Sequence, residues 1–220
     1  MLTRGSDMKA PGWLFWLGVL GCLLLPVTAA AGDRSDAVRI LVLGDSLSAG
    51  YGLPAAEAFP AQLEQALRQD GHRVRVINAG VSGDTTAGGL ARLDWSLAEH
   101  PQLVIVQLGA NDALRGLDPE QARANLDAIL TRLKQAGAQV LLAGMRAPRN
   151  LGPAYYTKFD RIYSELAGKH QVALDPFFLE GVALRPELNQ PDGLHPNAKG
   201  VAVIVRRLLP RVQELLSERP

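Results

Sequence analysis

Two periods of apolar residues alternate along the chain. Short apolar runs rich in β-branched residues predict five strands, at 38–43, 73–77, 103–108, 139–143 and 172–174. Segments with apolar positions every three or four residues predict helices, at 57–69, 89–99, 119–135, 154–168 and 197–217. A regular alternation of strand and helix is typical of α/β domains. We therefore predict a three-layer α/β/α sandwich around a mostly parallel five-stranded sheet, with right-handed crossovers.

The N-terminal segment has the three parts of a secretory signal peptide. Arg4 and Lys9 provide positive charge, 13–25 is an apolar core, and the Ala-Ala-Ala segment at 29–31 fits a cleavage site. We predict that residues 1–31 are a signal peptide that is cleaved, and that the protein is exported.

Two other interpretations of the N-terminus stay open. The uncharged run 10–32 is long enough to cross a bilayer if it is not cleaved. Residues 19–22 also loosely resemble a lipoprotein acylation box that ends at Cys22. Under each of the three interpretations, the folded part of the chain is exported. We expect that part to be a single domain at 32–220, because no linker, repeat or low-complexity segment divides it.

Composition narrows the chemistry further. The chain of 220 residues carries a net charge of +1 with both signs dispersed, so no basic patch predicts a nucleic-acid partner. The single cysteine, Cys22, lies in the predicted signal peptide, which excludes a disulfide within the mature chain and a cysteine-based metal site. Only four histidines are present, so each can be assessed as a catalytic base.

Three of the four histidines have a structural interpretation. His72, His100 and His170 lie at or just beyond the ends of predicted helices, where a histidine can bond terminal carbonyls and complement the helix dipole. The fourth, His195, lies in a loop rich in turn-forming residues, three residues after Asp192. A tight turn can bring that carboxylate to the imidazole. His195 is therefore the candidate base and Asp192 the candidate orienting acid.

Ser46 is the candidate nucleophile. It lies just beyond the predicted strand 38–43, at the sheet edge where parallel α/β folds keep their chemistry. A serine hydroxyl is a poor nucleophile unless a nearby base takes its proton, and His195 is the best candidate for that base. Asp175, at the end of the fifth predicted strand, is an alternative to Asp192 as the acid.

Acyl transfer also needs hydrogen-bond donors for the oxyanion. Gly83 follows the second predicted strand, and its backbone N–H can face a substrate without obstruction by a side chain. Asn111 follows the third predicted strand and can offer its side-chain amide, while the Ser46 N–H is a third donor. Taken singly, Gly83 is better explained by a tight turn, and Asn111 by a helix cap or an Asx-turn.

Four ordered blocks of the chain resemble the GDSL, or SGNH, family of serine hydrolases. They are Gly-Asp-Ser-Leu at 44–47, Gly83, Gly-Ala-Asn-Asp at 109–112 and Asp-Gly-Leu-His at 192–195. The resemblance covers nearly the whole predicted mature chain, and four blocks in order are far more specific than the first alone. It implies the flavodoxin-like SGNH hydrolase fold.

The resemblance also assigns a role to each candidate residue. It implies a catalytic triad of Ser46 as nucleophile, His195 as base and Asp192 as orienting acid. The oxyanion hole it implies is formed by Ser46, Gly83 and Asn111. No metal ion and no cofactor are expected in this chemistry.

Further segments are similar to one group within the family, the exported bacterial acyl-CoA thioesterases, arylesterases and lysophospholipases. These segments are 82–85, 88–92, 108–116 and 176–181. The resemblance implies hydrolysis of small-molecule carboxylic esters or acyl thioesters through an acyl-enzyme, in the periplasm or outside the cell. A carbohydrate or cell-wall O-acetylesterase with the same triad is the alternative enzyme. A nucleotide- or flavin-binding module is disfavoured, because the chain has neither G-x-G-x-x-G nor a P-loop.

Three residues are candidates for contact with the substrate. Leu114 follows the oxyanion asparagine, and Pro148 lies in an apolar segment after the fourth predicted strand. Asp45 adjoins the nucleophile, although hydrogen bonding that shapes the Ser46 turn is its favoured role. The sequence does not indicate an oligomeric state, and a monomer is our working expectation.

Overall fold

A five-stranded parallel sheet forms the centre of the computed structural model, which describes residues 37–218. Its strands are β1 Val38–Gly44, β2 Val74–Gly80, β3 Leu103–Gln107, β4 Gln139–Ala143 and β5 Ala173–Asp175. The strand order is β2-β1-β3-β4-β5, and all four strand pairs are parallel. This is the flavodoxin-like order, so the predicted fold class is confirmed.

Eight α-helices surround the sheet within the described residues. They are α1 Ser46–Ala49, α2 Phe59–Gln69, α3 Thr86–Ala91, α4 Leu93–Leu97, α5 Ala110–Leu114, α6 Pro119–Gln135, α7 Pro153–His170 and α8 Ala198–Ser217. Short 3-10 helices cover Ala55–Glu57, Arg149–Leu151 and Pro186–Leu188. Helix α2 packs against α8, while α6 packs against both α3 and α7, which gives two helical layers with the sheet between them.

The two central strands supply the most deeply buried part of the core. Residues 40–43 of β1 and 103–106 of β3 are fully buried, as expected for strands that are covered on both faces. Each such Val, Leu or Ile side chain contributes about 1.5–3 kcal/mol relative to an exposed one. The register pairs Gly44 with Gly80 on one side and with Gln107 on the other. This rigid centre therefore fixes the point at which the chain leaves β1.

One predicted helix has a different form in the structure. The segment predicted as a single helix at 89–99 is divided into α3 and α4, which meet at Arg92. Thr85 caps α3, because its side chain accepts a hydrogen bond from the Gly88 N–H. The Arg92 side chain is bonded to the end of β1 rather than lying along a helix surface. Periodicity does not detect such a tertiary bond.

The N-terminal predictions lie outside the described residues. These are the signal peptide at 1–31 with its cleavage site, the uncleaved membrane span at 10–32 and the acylation of Cys22. Within residues 37–218, no helix is both long enough and apolar enough to cross a membrane.

Candidate active site

The nucleophile candidate lies where β1 passes into a very short helix. Ser46 is the first residue of α1, and Asp45 caps that helix by accepting the Leu47 N–H at 3.0 Å. Gly44 has no room for a side chain, since a Cβ would lie 2.2 Å from the Ser48 Oγ. The sharp passage from strand to helix places Ser46 half-buried at the carboxyl edge of the sheet.

The structure brings the three triad candidates together. His195 Nε2 lies 2.9 Å from the Ser46 Oγ, and His195 Nδ1 lies 2.6 Å from the Asp192 Oδ2. The other Asp192 oxygen, Oδ1, accepts the backbone N–H groups of Leu194 and His195 at 2.9 and 3.0 Å. The hydroxyl, the imidazole and the carboxylate therefore form one continuous hydrogen-bonded chain.

The electrostatics of the turn keep its carboxylate ionised. Hydrogen bonds from the backbone N–H and the ring of His195 lower the pKa of Asp192 to about 2. The alternative acid, Asp175, is buried and bonded to Arg207, so its carboxylate is already held elsewhere. The geometry therefore favours Asp192 over Asp175 as the partner of His195.

Three candidate donors lie in the segments that follow β1, β2 and β3. Gly83 has a left-handed backbone, with φ of +85°, which favours glycine. The Asn111 Nδ2 donates to the Asp84 carbonyl at 2.8 Å, which fixes the amide orientation and leaves its second hydrogen available. Among the described residues, no protein acceptor takes the backbone N–H of Ser46 or of Gly83. Each of the three groups therefore keeps a hydrogen that no protein acceptor among the described residues takes.

Two polar clamps hold these loops in place. Arg92 donates to the Asp84 carboxylate at 2.6 Å and to the Gly44 carbonyl at 2.9 Å, which joins the Gly83 loop to the end of β1. Asp112 accepts the backbone N–H and the hydroxyl of Thr86 at 2.8 and 2.6 Å. The second clamp fixes α5, and with it the oxyanion candidate Asn111, against the start of α3. Sequence reasoning did not find Arg92.

Comparison with known proteins identifies the family of the chain. The family model of the GDSL-like lipases/acylhydrolases matches residues 42–203. The chain belongs to the GDSL-like lipase/acylhydrolase family. This confirms the resemblance carried by the four sequence blocks and makes the protein an esterase of the GDSL type.

Individual relatives of this GDSL hydrolase agree with that placement. It is 46% identical over 179 residues to an arylesterase of Vibrio mimicus, with 81% of this chain and 88% of that protein covered. It is 42% identical over 202 residues to the thioesterase 1/protease 1/lysophospholipase L1 of Escherichia coli K12, with 91% and 93% covered. A crystal structure of the esterase EstA from Pseudoalteromonas, inhibited by monoethylphosphonate, shares 34% identity with a TM-score of 0.77, and covers 82% of this chain and 99% of that one.

One predicted substrate contact of the GDSL hydrolase is corrected by the structure. The Asp45 side chain is fully buried, so it is not placed to touch a substrate; it caps α1 instead. Burial raises the pKa of Asp45 to about 6, and its Oδ2 has no hydrogen-bond partner. Gln107 lies beside it and accepts the Ser48 hydroxyl at 2.7 Å. Asp45 therefore shapes the nucleophile turn, which was the role that the sequence favoured.

The other two substrate candidates of the GDSL hydrolase lie at the carboxyl edge of the sheet. Leu114, in α5, is 52% exposed, and Pro148 is half-buried at the start of the 3-10 helix after β4. Tyr51 and Leu194 add exposed apolar surface next to His195, with the Tyr51 ring 4.7 Å from the imidazole ring. Sequence reasoning missed Tyr51, because no pattern along the chain links it to a histidine so far away.

The remaining histidines of the GDSL hydrolase have no contact with Ser46. His170, in the last turn of α7, lies 2.5 Å from the Asp127 carboxylate, and the backbone carbonyl of His100 accepts the Arg39 Nε. Within residues 37–218, no group of three or more His, Cys, Asp or Glu side chains could hold a metal ion.

Proposed function

We propose that this GDSL hydrolase is a serine esterase that uses a Ser46-His195-Asp192 triad and an acyl-enzyme to hydrolyse carboxylic esters and acyl thioesters. The observation that carries the proposal is the unbroken hydrogen-bonded chain from Asp192 through His195 to the Ser46 Oγ. A serine hydroxyl becomes an effective nucleophile when a base is within hydrogen-bond reach and a third group orients that base.

The first half of the reaction forms the acyl-enzyme. His195 Nε2 takes the Ser46 proton while Oγ attacks the carbonyl carbon of the ester or thioester. The oxyanion that develops is stabilised by the N–H groups of Ser46 and Gly83 and by the Asn111 amide, and each donor is worth about 2.7–4 kcal/mol in such sites. His195 then gives the proton to the leaving alkoxide or thiolate, which departs as an alcohol or a thiol.

The second half releases the acid. Water takes the place of the leaving group, His195 removes one of its protons, and the resulting hydroxide attacks the acyl carbonyl. The same three donors hold the second oxyanion. When the bond to the Ser46 Oγ breaks, His195 returns the proton to Oγ and the carboxylic acid is released. Asp192 stays ionised through both halves because its pKa is about 2, and it stabilises each imidazolium as it forms.

The exposed apolar residues beside the triad support an acyl-bearing substrate. Tyr51, Leu114 and Leu194 are each more than half exposed and lie next to His195 or shortly after Asn111. The relatives described above are named as an arylesterase and as a thioesterase and lysophospholipase, which supports both esters and thioesters as small-molecule substrates. An acyl-ester and thioester panel, run by chain length beside acetylated sugars, separates this function from an O-acetylesterase.

The location of the protein is a further part of the proposal. Residues 1–31 have the composition of a signal peptide, so we expect 32–220 to function as an exported domain in the periplasm or outside the cell. A monomer remains our working expectation. N-terminal sequencing of the protein recovered from the periplasm should begin at Gly32.

The test of the triad is the Ser46→Ala variant, assayed on a short p-nitrophenyl ester. We expect turnover to fall by about 10⁴-fold or more, because the nucleophile is lost while the fold is kept. The matched control is Ser164→Ala, which removes an exposed serine on α7 whose hydroxyl bonds only its own helix. Turnover close to wild type in Ser46→Ala would refute the assignment of Ser46 as the nucleophile.

A further inference from the structure

The turn that carries the catalytic base is internally complete. The bonds by which Asp192 orients His195 all lie within four consecutive residues. They set the direction of the imidazole relative to its own turn, but not relative to Ser46, which is 149 residues away in the chain. A separate contact must therefore dock the turn onto the nucleophile side of the site.

Gln190 makes that contact. Its side-chain Nε2 donates to the Tyr51 carbonyl at 2.7 Å and to the Pro196 carbonyl at 3.0 Å, so both amide hydrogens are used. Its backbone N–H donates to the His195 carbonyl at 2.7 Å. One residue thus closes the base of the turn and joins it to a segment 139 residues earlier.

The Tyr51 end of this connection is hydrogen-bonded to the backbone of Ser46. The Tyr51 backbone N–H donates to the Ser46 carbonyl at 3.1 Å, while the Tyr51 carbonyl accepts the Gln190 amide. A path of three hydrogen bonds therefore runs from Ser46 through Tyr51 and Gln190 to Pro196, the neighbour of His195. The Tyr51 ring lies against the imidazole as well, at 4.7 Å between centroids.

The space around the Gln190 amide is closely fitted. A Cβ on Gly52 would lie 2.2 Å from the Gln190 Oε1, so this position has room only for glycine beside the amide. Gly52 also has φ of +73°, which favours glycine independently. Tyr51 and Gly52, the two residues of the Ser46 segment that contact Gln190, are therefore both fitted to its side chain.

We propose that Gln190 is the positioning residue that docks the Asp192–His195 turn onto the Ser46 segment. The inference rests on the proposed triad chemistry and adds a residue to it. Catalysis by positioned groups is sensitive to small displacements, and a shift of 1 Å can cost about 100-fold in rate. Loss of the hydrogen bonds from the Gln190 amide, which we call the dock, should slow the chemical step while leaving the contact between Asp192 and His195 intact.

The test is Gln190→Met, which keeps the length of the side chain and removes both donors. We expect kcat on p-nitrophenyl acetate to fall about 10–100-fold with little change in KM, and inactivation by an organophosphonate to slow in parallel. The downfield proton NMR signal of the His195 Nδ1–H should persist, because its bond to Asp192 lies within the turn. A structural role alone would not slow the chemical step while sparing that signal.

The control is Gln62→Met. The Gln62 amide also bridges two backbone carbonyls, of Glu57 and Ala198, but it does not touch the turn or the Ser46 segment. We expect that control to lose stability without an equal loss of kcat. Equal losses of kcat in the two variants, or an unchanged kcat in Gln190→Met, would overturn the inference. So would loss of the His195 signal in a folded variant, because Gln190 would then shape the turn itself.

A second variant tests the dock if Gln190→Met does not fold. Gly52→Ala displaces the Gln190 amide without altering it, and Gly116→Ala is its control, with φ of +63° and nothing within 4 Å of the added Cβ. We expect only the first to lower kcat, and equal kcat in both would overturn the inference. Ser46→Ala, assayed in the same series, separates failure of the proposed triad from failure of the inference about Gln190. If Ser46→Ala still turns over, the triad itself fails, whereas wild-type rates in the Gln190 and Gly52 variants refute only the dock.

Discussion

Burial of Asp45 predicts a pH dependence of the free energy of unfolding, and its magnitude follows from the structure. The carboxyl group is fully buried next to Ser46, and burial raises its pKa from 3.8 to about 6. The hydrogen bond from the Leu47 N–H opposes this rise most, followed by the side chain of Gln107. In the folded protein the group therefore keeps its proton up to about pH 6, whereas in the unfolded chain it releases the proton near pH 3.8.

The sign of the effect follows from proton binding. Between the two pKa values the folded state binds more protons than the unfolded state, so the free energy of unfolding falls as pH rises. The contribution of Asp45 is fully present below pH 3.8 and is lost as pH rises through about 6. A separation of about two pH units corresponds to about 3 kcal/mol, since each unit is worth about 1.4 kcal/mol.

The perturbation is Asp45→Asn. The amide keeps an oxygen for the Leu47 N–H and carries no charge, so the cap on α1 is retained while the titration is removed. We expect the stability of the variant relative to wild type to increase by about 2.5 kcal/mol between pH 4 and pH 8, because part of the full effect falls below pH 4. Urea unfolding at one-unit pH intervals measures it, with a common m-value as the check on two-state behaviour.

Asp118→Asn is the control for this series. Asp118 also caps a helix, α6, by accepting the Glu120 N–H, but it is exposed to water. Its replacement should therefore show a much smaller change with pH. If the Asp45→Asn difference were flat across the range, or decreased with pH, burial of the Asp45 charge would not be the controlling effect.

Two further variants test the oxyanion side of the site. Asn111→Ala should lower kcat by about 10²–10³-fold on p-nitrophenyl esters because a donor is lost. Asn125→Ala, which removes an amide bonded to Thr86 instead, should change kcat far less, and equal losses would refute the role of Asn111. Gly109→Ala should cost about 2–4 kcal/mol in urea unfolding, because φ is +112° and the added Cβ would lie 2.1 Å from the Tyr163 Oη. Gly116→Ala has backbone strain without that clash, so an equal cost in both glycine variants would contradict this account.

The elements of the fold that were predicted well are those that carry their own local signals. Strand β4 has the predicted bounds, and α6 has both ends as predicted, because Asp118 caps it and Pro119 occupies its first turn. The short helices α1 and α5 were not predicted. Four or five residues are too few for a 3.6-residue period to show, and their conformation is set by the strand ends that they follow.

The residues of the candidate site also differ in whether the sequence carries a signal for them. Ser46, Asp192 and His195 could be selected from the sequence because their chemistry depends on side-chain type, and the chain offers few histidines. Arg92 and Gln190 could not, because each bonds to the backbone carbonyl of a residue far along the chain. Any residue can present a carbonyl, so such bonds leave no pattern in the partner segment. Their discovery needs the folded structure.

The two carboxylates near His195 explain why the partly exposed one is suited to the triad. The acid that supports an imidazolium must itself remain ionised at the pH where the base is neutral. Asp192 meets that condition because three hydrogen bonds from Leu194 and His195 hold its pKa at about 2. Asp45, with a pKa of about 6, would be partly protonated over the range in which histidine titrates. Its buried position next to Ser46 fits Asp45 for capping α1, and the hydrogen-bonded turn at the protein surface fits Asp192 for the proposed role of orienting His195.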